Sequence, residues 1–491
     1  MTLVHRVLFP EPITTLTEYL ARGGGGGLEA ARERTPDELI AEIDASGLRG
    51  RGGAGFPTGR KWRTIADYRD PAGATSVVVN GAEGEPGTFK DRTILRTNPY
   101  AVIEGALIAA RAVGANEIVF ALKRSFAPEV ARLEAALAEV RDAGWLEGLA
   151  VRTFEGPNEY LYGEETALLE TIEGRYPFPR ISPPWRRGEH EVVETAADAR
   201  SGSGQSAHVE MAGAETGAEP TLVDNLETIA NVARIIDRGA AWFRTEGTEE
   251  SPGTIVCTVI GDVARAGVGE VIMGTPLREV IEAVGGGARE GRRIKAVLSG
   301  VSNAVLTGDQ LDAPVSYEGL AAAGGGLGSA GFIVFDDTAD MTAVAAGVSR
   351  FLAVESCGQC TPCKQDGVAL SHLLDRLCAS DSSDTDFDRI VSLTASVADR
   401  ARCFLANQHQ AVVESILARF PDDLAAHVSG QTDPVEPLLV AELVDITEEG
   451  VAVLDERHRQ KQPDWSFDAE DSGAAPADRY GEHRSPQSLP E

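Results

Sequence analysis

Four of the six cysteines lie in one region of the chain and have the spacing of an iron–sulfur site. Cys357, Cys360 and Cys363 fall within seven residues, and Cys403 follows forty residues later. Three closely spaced thiolates can bind three corners of a [4Fe–4S] cluster, and a distant fourth completes the set. Structural zinc usually has two separated CxxC pairs, so the spacing favours a cluster over zinc. A zinc-stabilised structural subunit and a reactive cysteine pair remain as alternatives.

The other cysteines, and the histidines near the cysteine region, are predicted to be structural. Cys257 lies in an apolar run that is typical of a strand, and Cys378 lies among leucines on a helix. Buried thiols commonly behave as small core side chains. His372 and His409 are isolated, so we expect neither to be a metal ligand.

A glycine loop, Gly50-Arg-Gly-Gly-Ala-Gly55, matches the pattern GxGxxG. A dinucleotide-binding fingerprint should follow a strand, but a helix precedes this one, so the pattern alone is weak. Glycines let backbone amides approach a phosphate, and Arg49, Arg51, Arg60 and Lys61 add positive charge. The alternative is a tight loop with basic flanks.

Two acidic loops follow elements of the same region. The segment 80–92 begins where the apolar run 75–80 ends, and polar groups at such a strand end can bind a cofactor. Glu164 and Glu165 come after Tyr160-Leu-Tyr-Gly163, at the start of a helix. Each acidic pair could simply favour a helix dipole. Together with the glycine loop, they predict a cofactor site.

Alternating strands and helices must position these loops. A capped helix is expected from Thr35 to Gly47, and the strands and helices between residues 75 and 250 predict an α/β domain with a parallel sheet. Strands around one helix from 251 to 340 indicate a small mixed β domain, and residues 341–430 are helical. Residues 1–45 are an N-terminal extension, 46–250 the α/β domain with an insertion loop at 186–219, and 431–491 an acidic tail expected to be disordered.

Composition narrows the class of protein. The net charge of −31 repels phosphate backbones and anionic lipid, so we expect no nucleic-acid partner. No apolar run reaches the roughly 18 residues that span a bilayer, and the N-terminus lacks the pattern of a secretory signal. The expectation is a cytoplasmic protein without direct membrane insertion.

At these residues the chain resembles the NADH-binding flavoprotein subunit of respiratory complex I and the related subunits of NAD-linked hydrogenases and formate dehydrogenases. The resemblance covers about residues 19–420. The matching segments are GLRGRGGAGFPTGRKW (47–62), NGAEGEPGTFKDR (80–92), YGEETALLETIEGR (162–175), PTLVDNLETIANV (220–232) and ESCGQCTPCKQDG (355–367).

The resemblance implies a fold and a set of cofactor contacts. The fold would be an FMN-binding α/β domain, a small β-grasp (ubiquitin-like, SLBB-like) domain and a helical bundle that holds one [4Fe–4S] cluster on the four cysteines. The implied FMN contacts are Gly50, Gly52, Gly53, Ala54, Lys61, Asn80, Glu83, Tyr160, Gly163, Glu164, Asn225 and Thr228. The implied NADH pocket uses Phe56, Glu85 and Glu165, and the two carboxylates would orient the nicotinamide or hold water.

The implied activity is that of an NADH:acceptor oxidoreductase similar to the quinone-linked complex I subunit. FMN would take a hydride from NADH, and single electrons would pass through the cluster to an iron–sulfur or ferredoxin-like partner subunit, in a complex peripheral to a membrane. No second cysteine set exists in the sequence for a further cluster.

Several positions depart from the family pattern. Ala82 replaces an acidic residue, Thr64 an aromatic one, Tyr162 a frequent cysteine, and Asp224-Asn225 an Asn-Asn pair. The insertion at 186–219 also displaces the segment that would close the NADH pocket. These departures motivate an alternative: an FMN and iron–sulfur module that exchanges electrons with a ferredoxin-like partner without binding NADH.

Overall fold

The computed structural model describes residues 3–69, 75–180, 220–467 and 469–481. The expected insertion loop at 186–219 lies outside the described residues. In the described ranges, two sheets are followed by a helical region and by a C-terminal segment that packs back onto it.

The first sheet is parallel, with the strand order β3-β2-β1-β4. Its strands are β1 (Ser76–Asn80), β2 (Glu117–Lys123), β3 (Ala150–Gly156) and β4 (Thr221–Asn225). The chain proceeds outward from β1 to β3 and then returns to the other side of β1 as β4. The strand order therefore reverses between β1 and β4. Ligands of open α/β sheets bind at such a reversal, outside the carboxyl ends of the strands.

Helices pack around this sheet and confirm the expected α/β domain. They are α1 (Leu16–Ala21), α2 (Gly26–Arg32), α3 (Pro36–Ser46), α4 (Thr58–Asp67), α5 (Lys90–Thr97), α6 (Pro99–Val113), α7 (Ala127–Asp142), α8 (Glu165–Ile172), α9 (Leu226–Arg238) and α10 (Ala240–Phe243). Helix α3 begins at a capping box of Thr35 and Glu38 and ends at Gly47, which has a positive φ of 71°. Helices α6 and α9 cross closely, because a Cβ at Gly105 would collide with the carbonyl of Ile229.

The N-terminal segment belongs to the core of the protein. Ile13 and Leu39 are fully buried in the same apolar cluster as the first sheet. Upstream, the backbone N–H groups of Arg6, Val7 and Leu8 all donate to one carboxylate oxygen of Glu270, at 2.7, 2.9 and 3.0 Å. Glu270 lies in the second sheet, so this segment joins the two sheets. Burial raises the pKa of Glu270 to about 7.

The second sheet has five strands in the order β6-β5-β9-β7-β8. They are β5 (Thr254–Gly261), β6 (Gly267–Ile272), β7 (Ile294–Ser299), β8 (Leu306–Thr307) and β9 (Gly331–Asp336), with helices α11 (Leu277–Gly285) and α12 (Tyr317–Ala322). Only β5 and β9 pair in parallel among these strands, and the other pairs are antiparallel. Cys257 is fully buried in β5, as expected for a core residue.

The region after the second sheet is helical. It comprises α13 (Met341–Glu355), a π-helical turn (Pro362–Asp366), α14 (Gly367–Cys378), α15 (Asp384–Ser396), α16 (Leu405–Arg419) and α17 (Pro421–Val428). Helix α13 packs against α14 and α16. Cys378 is fully buried, and buried His409 contacts Ser349 at 2.7 Å, so both are core residues. No helix in the described ranges is both long and apolar enough to cross a membrane.

The expectation of a disordered tail is wrong for the part of it that the structure describes. Residues 431–467 and 469–481 include a hairpin of β10 (Leu443–Ile446) and β11 (Ala452–Leu454), a 3-10 turn (Glu456–Arg459) and helix α18 (Pro476–Tyr480). Trp465 is 5% exposed, and its Nε1 donates to the carbonyl of Val354 at 2.9 Å. The acidic composition of the tail suggested disorder, although a few of its apolar side chains are buried against the helical region.

Candidate cofactor crevice and cysteine cavity

Two asparagines stand side by side where the strand order reverses. Asn80 ends β1, Asn225 ends β4, and the two are register partners. The Nδ2 of Asn80 donates to the carbonyl of Gly163 at 2.9 Å, and its Oδ1 accepts from the N–H of Ala82 at 3.1 Å. Asn225 caps α9 by accepting from the N–H of Glu227 at 3.0 Å. Both amides therefore fix the loops that border the crevice.

The glycine loop Gly50–Gly55 lies next to this strand end. A Cβ at Gly52 would lie 3.1 Å from the Cβ of Asn225, so the loop backbone approaches the crevice closely. Gly53 has a φ of 121°, which other residues rarely adopt. Gly52 and Ala54 are exposed, which leaves backbone amides of the loop open to a phosphate. The loop fits a nucleotide cofactor.

The arginines of the loop do not supply the positive charge expected of them. Arg51 is fully buried: its guanidinium donates to the carbonyl of Thr254 at 2.9 Å, and its backbone N–H donates to Oγ1 of Thr228 at 2.8 Å. The Nε of Arg49 donates to the carbonyl of Gly55 at 2.7 Å. Both guanidinium groups thus bond backbone carbonyls, which the buried Arg51 requires because a buried donor must find an acceptor.

Lys61 is the cation that the structure places at the crevice. Its Nζ donates to the carbonyl of Val223 at 2.5 Å and to Glu165 at 3.1 Å, and it lies 4.0 Å from Asp224. Burial acts to lower the pKa of Lys61, but the two carboxylates outweigh it and raise the pKa. Asp224 also accepts from Nε1 of Trp62 at 2.8 Å. The Asp224 departure thus adds a charge partner for Lys61, and burial raises the pKa of Asp224 to about 6.

Glu83 and a buried ion-pair network support the floor of the crevice. Glu83 accepts from the backbone N–H groups of Lys90 and Asp91 at 2.9 and 3.2 Å, at the start of α5. Burial raises the pKa of Glu83 to about 7. The Nζ of Lys90, which is 1% exposed, contacts Asp91 at 2.8 Å, Glu227 at 3.0 Å and the Oδ1 of Asn225 at 3.3 Å. Sequence analysis missed this network, since only the fold brings its members together.

The second acidic loop has a clear structural role. The Oε2 of Glu164 accepts from the backbone N–H groups of Thr166 and Ala167 at 3.0 and 2.8 Å, which caps α8. Gly163 precedes it at the end of a 3-10 turn (Tyr160–Gly163). Glu164 therefore stabilises the start of α8, in line with the alternative that the acidic residues favour the helix dipole. Its carboxylate is fixed in place by these hydrogen bonds.

Tyr160 connects the crevice with the second sheet and the helical region. Its hydroxyl donates to Oε2 of Glu85 at 2.5 Å, while Oε1 of Glu85 accepts from the N–H of Val301 at 2.7 Å. The ring of Tyr160 packs edge-on against Phe351, with centroids 5.3 Å apart. Burial raises the pKa of Glu85, although both hydrogen bonds act in the opposite direction.

The three residues of the expected NADH pocket lie on three elements. Phe56 directly follows the glycine loop, Glu85 lies in the loop after β1 and Glu165 at the start of α8, and all three are half-buried. The hydroxyl of Thr64 donates to the carbonyl of Arg60 at 3.0 Å, within its own helix α4.

The four predicted cysteine ligands line one cavity. Cys357, Cys360, Cys363 and Cys403 border the same cavity, whose walls include the apolar side chains of Leu161, Pro179 and Leu405. In the described ranges no three Cys, His, Asp or Glu side chains converge closely enough to hold a single metal ion. Burial raises the pKa of Cys357 to about 12 and also raises those of Cys363 and Cys403. Four thiols with apolar walls fit an iron–sulfur cluster, whose iron would supply the charge that stabilises the thiolates.

Polar groups next to the cysteines were missed by sequence analysis. The hydroxyl of Ser356 lies 3.2 Å from Sγ of Cys363. The Nζ of Lys364 donates to the carbonyls of Ala353 and Ser356, both at 2.9 Å. Their positions in the sequence, next to the cysteines, could have suggested a role for Ser356 and Lys364. The orientation of their side chains, however, depends on how the loop folds.

Family models match most of the chain. The Nuo51 FMN-binding domain matches residues 43–234, the SLBB domain residues 256–304, and the NADH-ubiquinone oxidoreductase-F iron-sulfur binding region residues 343–427. The matched regions contain the first sheet, the part of the second sheet from β5 to β7, and the helical region with the four cysteines.

Curated relatives and a solved structure agree with these matches. The chain is 35% identical to the second F-type subunit of NADH-quinone oxidoreductase in Rhizobium meliloti, over 85% of this chain and 96% of the relative. It is 34% identical to the HndC subunit of the NADP-reducing hydrogenase in Solidesulfovibrio fructosivorans, over 86% of this chain and 82% of that relative. A chain of the NAD⁺-reducing [NiFe]-hydrogenase superposes with a TM-score of 0.71 at 31% identity, over 85% of this chain and 67% of that one.

The fold and the two sites define a flavoprotein of electron transfer, with an FMN-binding domain and a [4Fe–4S] region in one chain. More narrowly, the chain belongs to the family of the F-type subunits of NADH-quinone oxidoreductase and their hydrogenase counterparts.

Proposed function

We propose that this chain is an electron-input flavoprotein that oxidises NADH and passes single electrons through a [4Fe–4S] cluster to a partner redox protein. The observation that carries the proposal is the 3-10 turn Tyr160–Gly163, in which consecutive residues border the two sites. Tyr160 bonds Glu85 at the crevice, and Leu161 lines the cysteine cavity. One turn of backbone thus separates the flavin crevice from the cluster, so electrons have a short path between them.

The crevice residues bind and orient the cofactor and the nucleotide. When bound, FMN supplies the chemistry of hydride acceptance and single-electron release. The amides of Gly52, Gly53 and Ala54 in the glycine loop would hold the phosphate. Gly50, whose N–H donates to the carbonyl of Phe56 at 2.8 Å, would border it. Lys61, Asn80, Glu83, Tyr160, Gly163, Glu164, Asn225 and Thr228 would border the rest of FMN.

Two carboxylates would orient the nicotinamide. Glu85 is held from two sides, by Tyr160 and Val301, so its oxygens keep a fixed direction and can accept from an amide N–H or a water. Glu165 is held through one oxygen, by the Nζ of Lys61 at 3.1 Å. Phe56 would pack against the adenine. The second sheet would be a β-grasp domain, and α13, α14, α16 and α17 would form a bundle around the cluster.

Cys357, Cys360, Cys363 and Cys403 would ligate the cluster, and electrons would leave through an iron–sulfur or ferredoxin-like partner subunit. The relatives are named as subunits of an NADH-quinone oxidoreductase and of a hydrogenase, which supports the proposal that this chain is also one subunit of a larger complex. We place that complex in the cytoplasm, at the surface of a membrane if its acceptor is quinone.

An anaerobic spectrum tests this function. The purified chain should show flavin and broad iron–sulfur absorption, and both should bleach when NADH is added. Phe56→Ala should retain FMN and the cluster but lose bleaching at the NADH concentration that suffices for the parent. Absorption that dithionite bleaches and NADH does not would overturn NADH oxidation and favour exchange of electrons with a ferredoxin-like protein.

A further inference from the structure

The C-terminal clasp, defined as residues 456–467 and 469–481, lies against the loop that carries three of the four cysteines. The backbone N–H of Ala477 donates to the carbonyl of Cys357 at 2.8 Å. Ala475 packs so closely on Gly358 that a Cβ at Gly358 would collide with the methyl group of Ala475. Gly358 has a φ of 84°. The cysteine loop and the clasp are therefore fitted to each other through backbone and methyl contacts.

The clasp is anchored at several points on α13, the helix that leads into the cysteine loop. Trp465 is buried and bonds the carbonyl of Val354 through its indole N–H. Lys461 and His458 contact Glu355 at 2.7 and 3.1 Å. The guanidinium of Arg350 donates to the carbonyls of His458 at 3.0 Å and Lys461 at 3.2 Å. These contacts fix the clasp over the end of α13.

Aromatic rings extend the clasp along the other side of the cysteine cavity. Tyr480 stacks on Tyr176, with centroids 4.6 Å apart, and Trp465 packs on Phe178 at 5.8 Å. The next residue, Pro179, is part of the cavity wall. The clasp thus contacts two of the segments that border the cavity, the cysteine loop and residues 176–179.

The iron–sulfur region shared with the family ends at residue 427, before the clasp begins. We infer that the clasp is a built-in cover of the cluster, which holds the cysteine loop in its ligating conformation and limits access of water and small solutes to the iron. This inference rests on the proposed function, since it needs the cluster. Exposure to solvent is one of the factors that set the reduction potential of an iron–sulfur cluster. The clasp therefore sets both how firmly the iron is retained and the potential at which the cluster accepts an electron.

Two substitutions open the clasp in different ways. Trp465→Ala removes a buried ring from beside the cavity, and Ala475→Glu places a long charged side chain where only a methyl group fits against Gly358. Ala475 is half-buried, so its replacement leaves the core intact. Val451→Ala is the matched control, because Val451 is 56% exposed at the hairpin and lies outside the clasp.

The measurement is the anaerobic rate at which bathophenanthroline disulfonate extracts iron from the full-length protein. Both clasp variants should release iron roughly tenfold faster than the parent, because local opening limits access of the chelator. The cluster midpoint potential should rise in both, since water stabilises the negative charge that reduction adds. FMN content and the thermal midpoint of the control and the variants show that the rest of the chain is folded.

The inference is overturned if both clasp variants match the parent in iron release and in midpoint potential. A parent that binds FMN but contains no iron and sulfide would instead overturn the cluster in the proposed function, and the cover with it.

Discussion

Replacing Tyr160 by phenylalanine would separate the orientation of Glu85 from the rest of the site. The change removes one hydroxyl, and with it the 2.5 Å hydrogen bond to Glu85. The ring can keep its edge-on contact with Phe351, so Leu161 and the cysteine cavity should stay in place. Glu85 would keep two donors, the N–H of Val301 and the side chain of Ser302. The carboxylate would then lose the donor to its Oε2 and be oriented less firmly.

The magnitude follows from the type of hydrogen bond. A hydrogen bond to a charged group contributes about 1.5–3 kcal/mol, and we take the lower part of that range, about 1.5–2 kcal/mol, because the Val301 bond remains. Since about 1.36 kcal/mol is a factor of ten, kcat/KM for NADH should fall roughly 10- to 30-fold. The hydroxyl of Tyr160 also lowers the pKa of Glu85. Without it that pKa rises, so the limb of the pH profile that requires the ionised carboxylate should move to higher pH.

The assay is steady-state reduction of ferricyanide by NADH across pH, with FMN and iron measured in each preparation. Tyr100→Phe is the control, because Tyr100 also loses a hydroxyl that contacts a carboxylate, Glu139 at 3.1 Å, but it lies on α6 away from the crevice. Unchanged kcat/KM and pH profile in Tyr160→Phe, with FMN and iron retained, would show that the orientation of Glu85 does not matter for NADH. A loss of FMN would place Tyr160 in cofactor binding instead.

Three further predictions concern the supports of the two sites. Lys90→Met should lower the free energy of unfolding in urea by about 3–5 kcal/mol, because it leaves buried carboxylates unpaired. Adding Glu227→Gln to this variant should restore part of the lost stability. Equal urea midpoints for the parent and Lys90→Met would contradict the prediction. Cys403→Ala should abolish iron–sulfur absorption and keep FMN, whereas Cys378→Ala should leave both; the reverse pattern would exchange their roles. The folded pKa of Glu270, about 7, lies above the ordinary 4.5, so its protonation stabilises the fold fully below pH 4.5 and this contribution disappears as pH rises through 7. The urea stability of the parent relative to Glu270→Gln should therefore fall by roughly 3 kcal/mol between pH 4.5 and 7.5, and a flat difference would refute the shift.

The cysteine ligands and the strand ends could be predicted because their signals are local. The spacing of Cys357 to Cys363 limits which metal group fits, and the apolar run before Asn80 indicates a buried strand whatever surrounds it. Likewise Thr35 and Gly47 mark the limits of α3 through capping and backbone conformation, which depend on a few neighbours.

The reversal of strand order could not be predicted, because it depends on β4. That strand has only five residues, Thr221–Asn225, and its last two residues are polar. Arg51 was misjudged for a related reason: a side chain beside glycines can turn toward a ligand or toward carbonyls, and Thr254 is two hundred residues away in sequence. The clasp was not predicted because one buried tryptophan, Trp465, hardly changes the acidic composition of the tail.

The contact between the N-terminal segment and Glu270 has a consequence for how the chain matures. The carboxylate of Glu270, which accepts from the N–H groups of Arg6, Val7 and Leu8, is synthesised more than 260 residues after them. During synthesis, domains generally fold from the N-terminus onward. Here residues 6–8 can reach this acceptor only after the strand that carries Glu270 has been made. A chain that stops before residue 270 lacks this acceptor, so its residues 6–8 are not fixed to the second sheet.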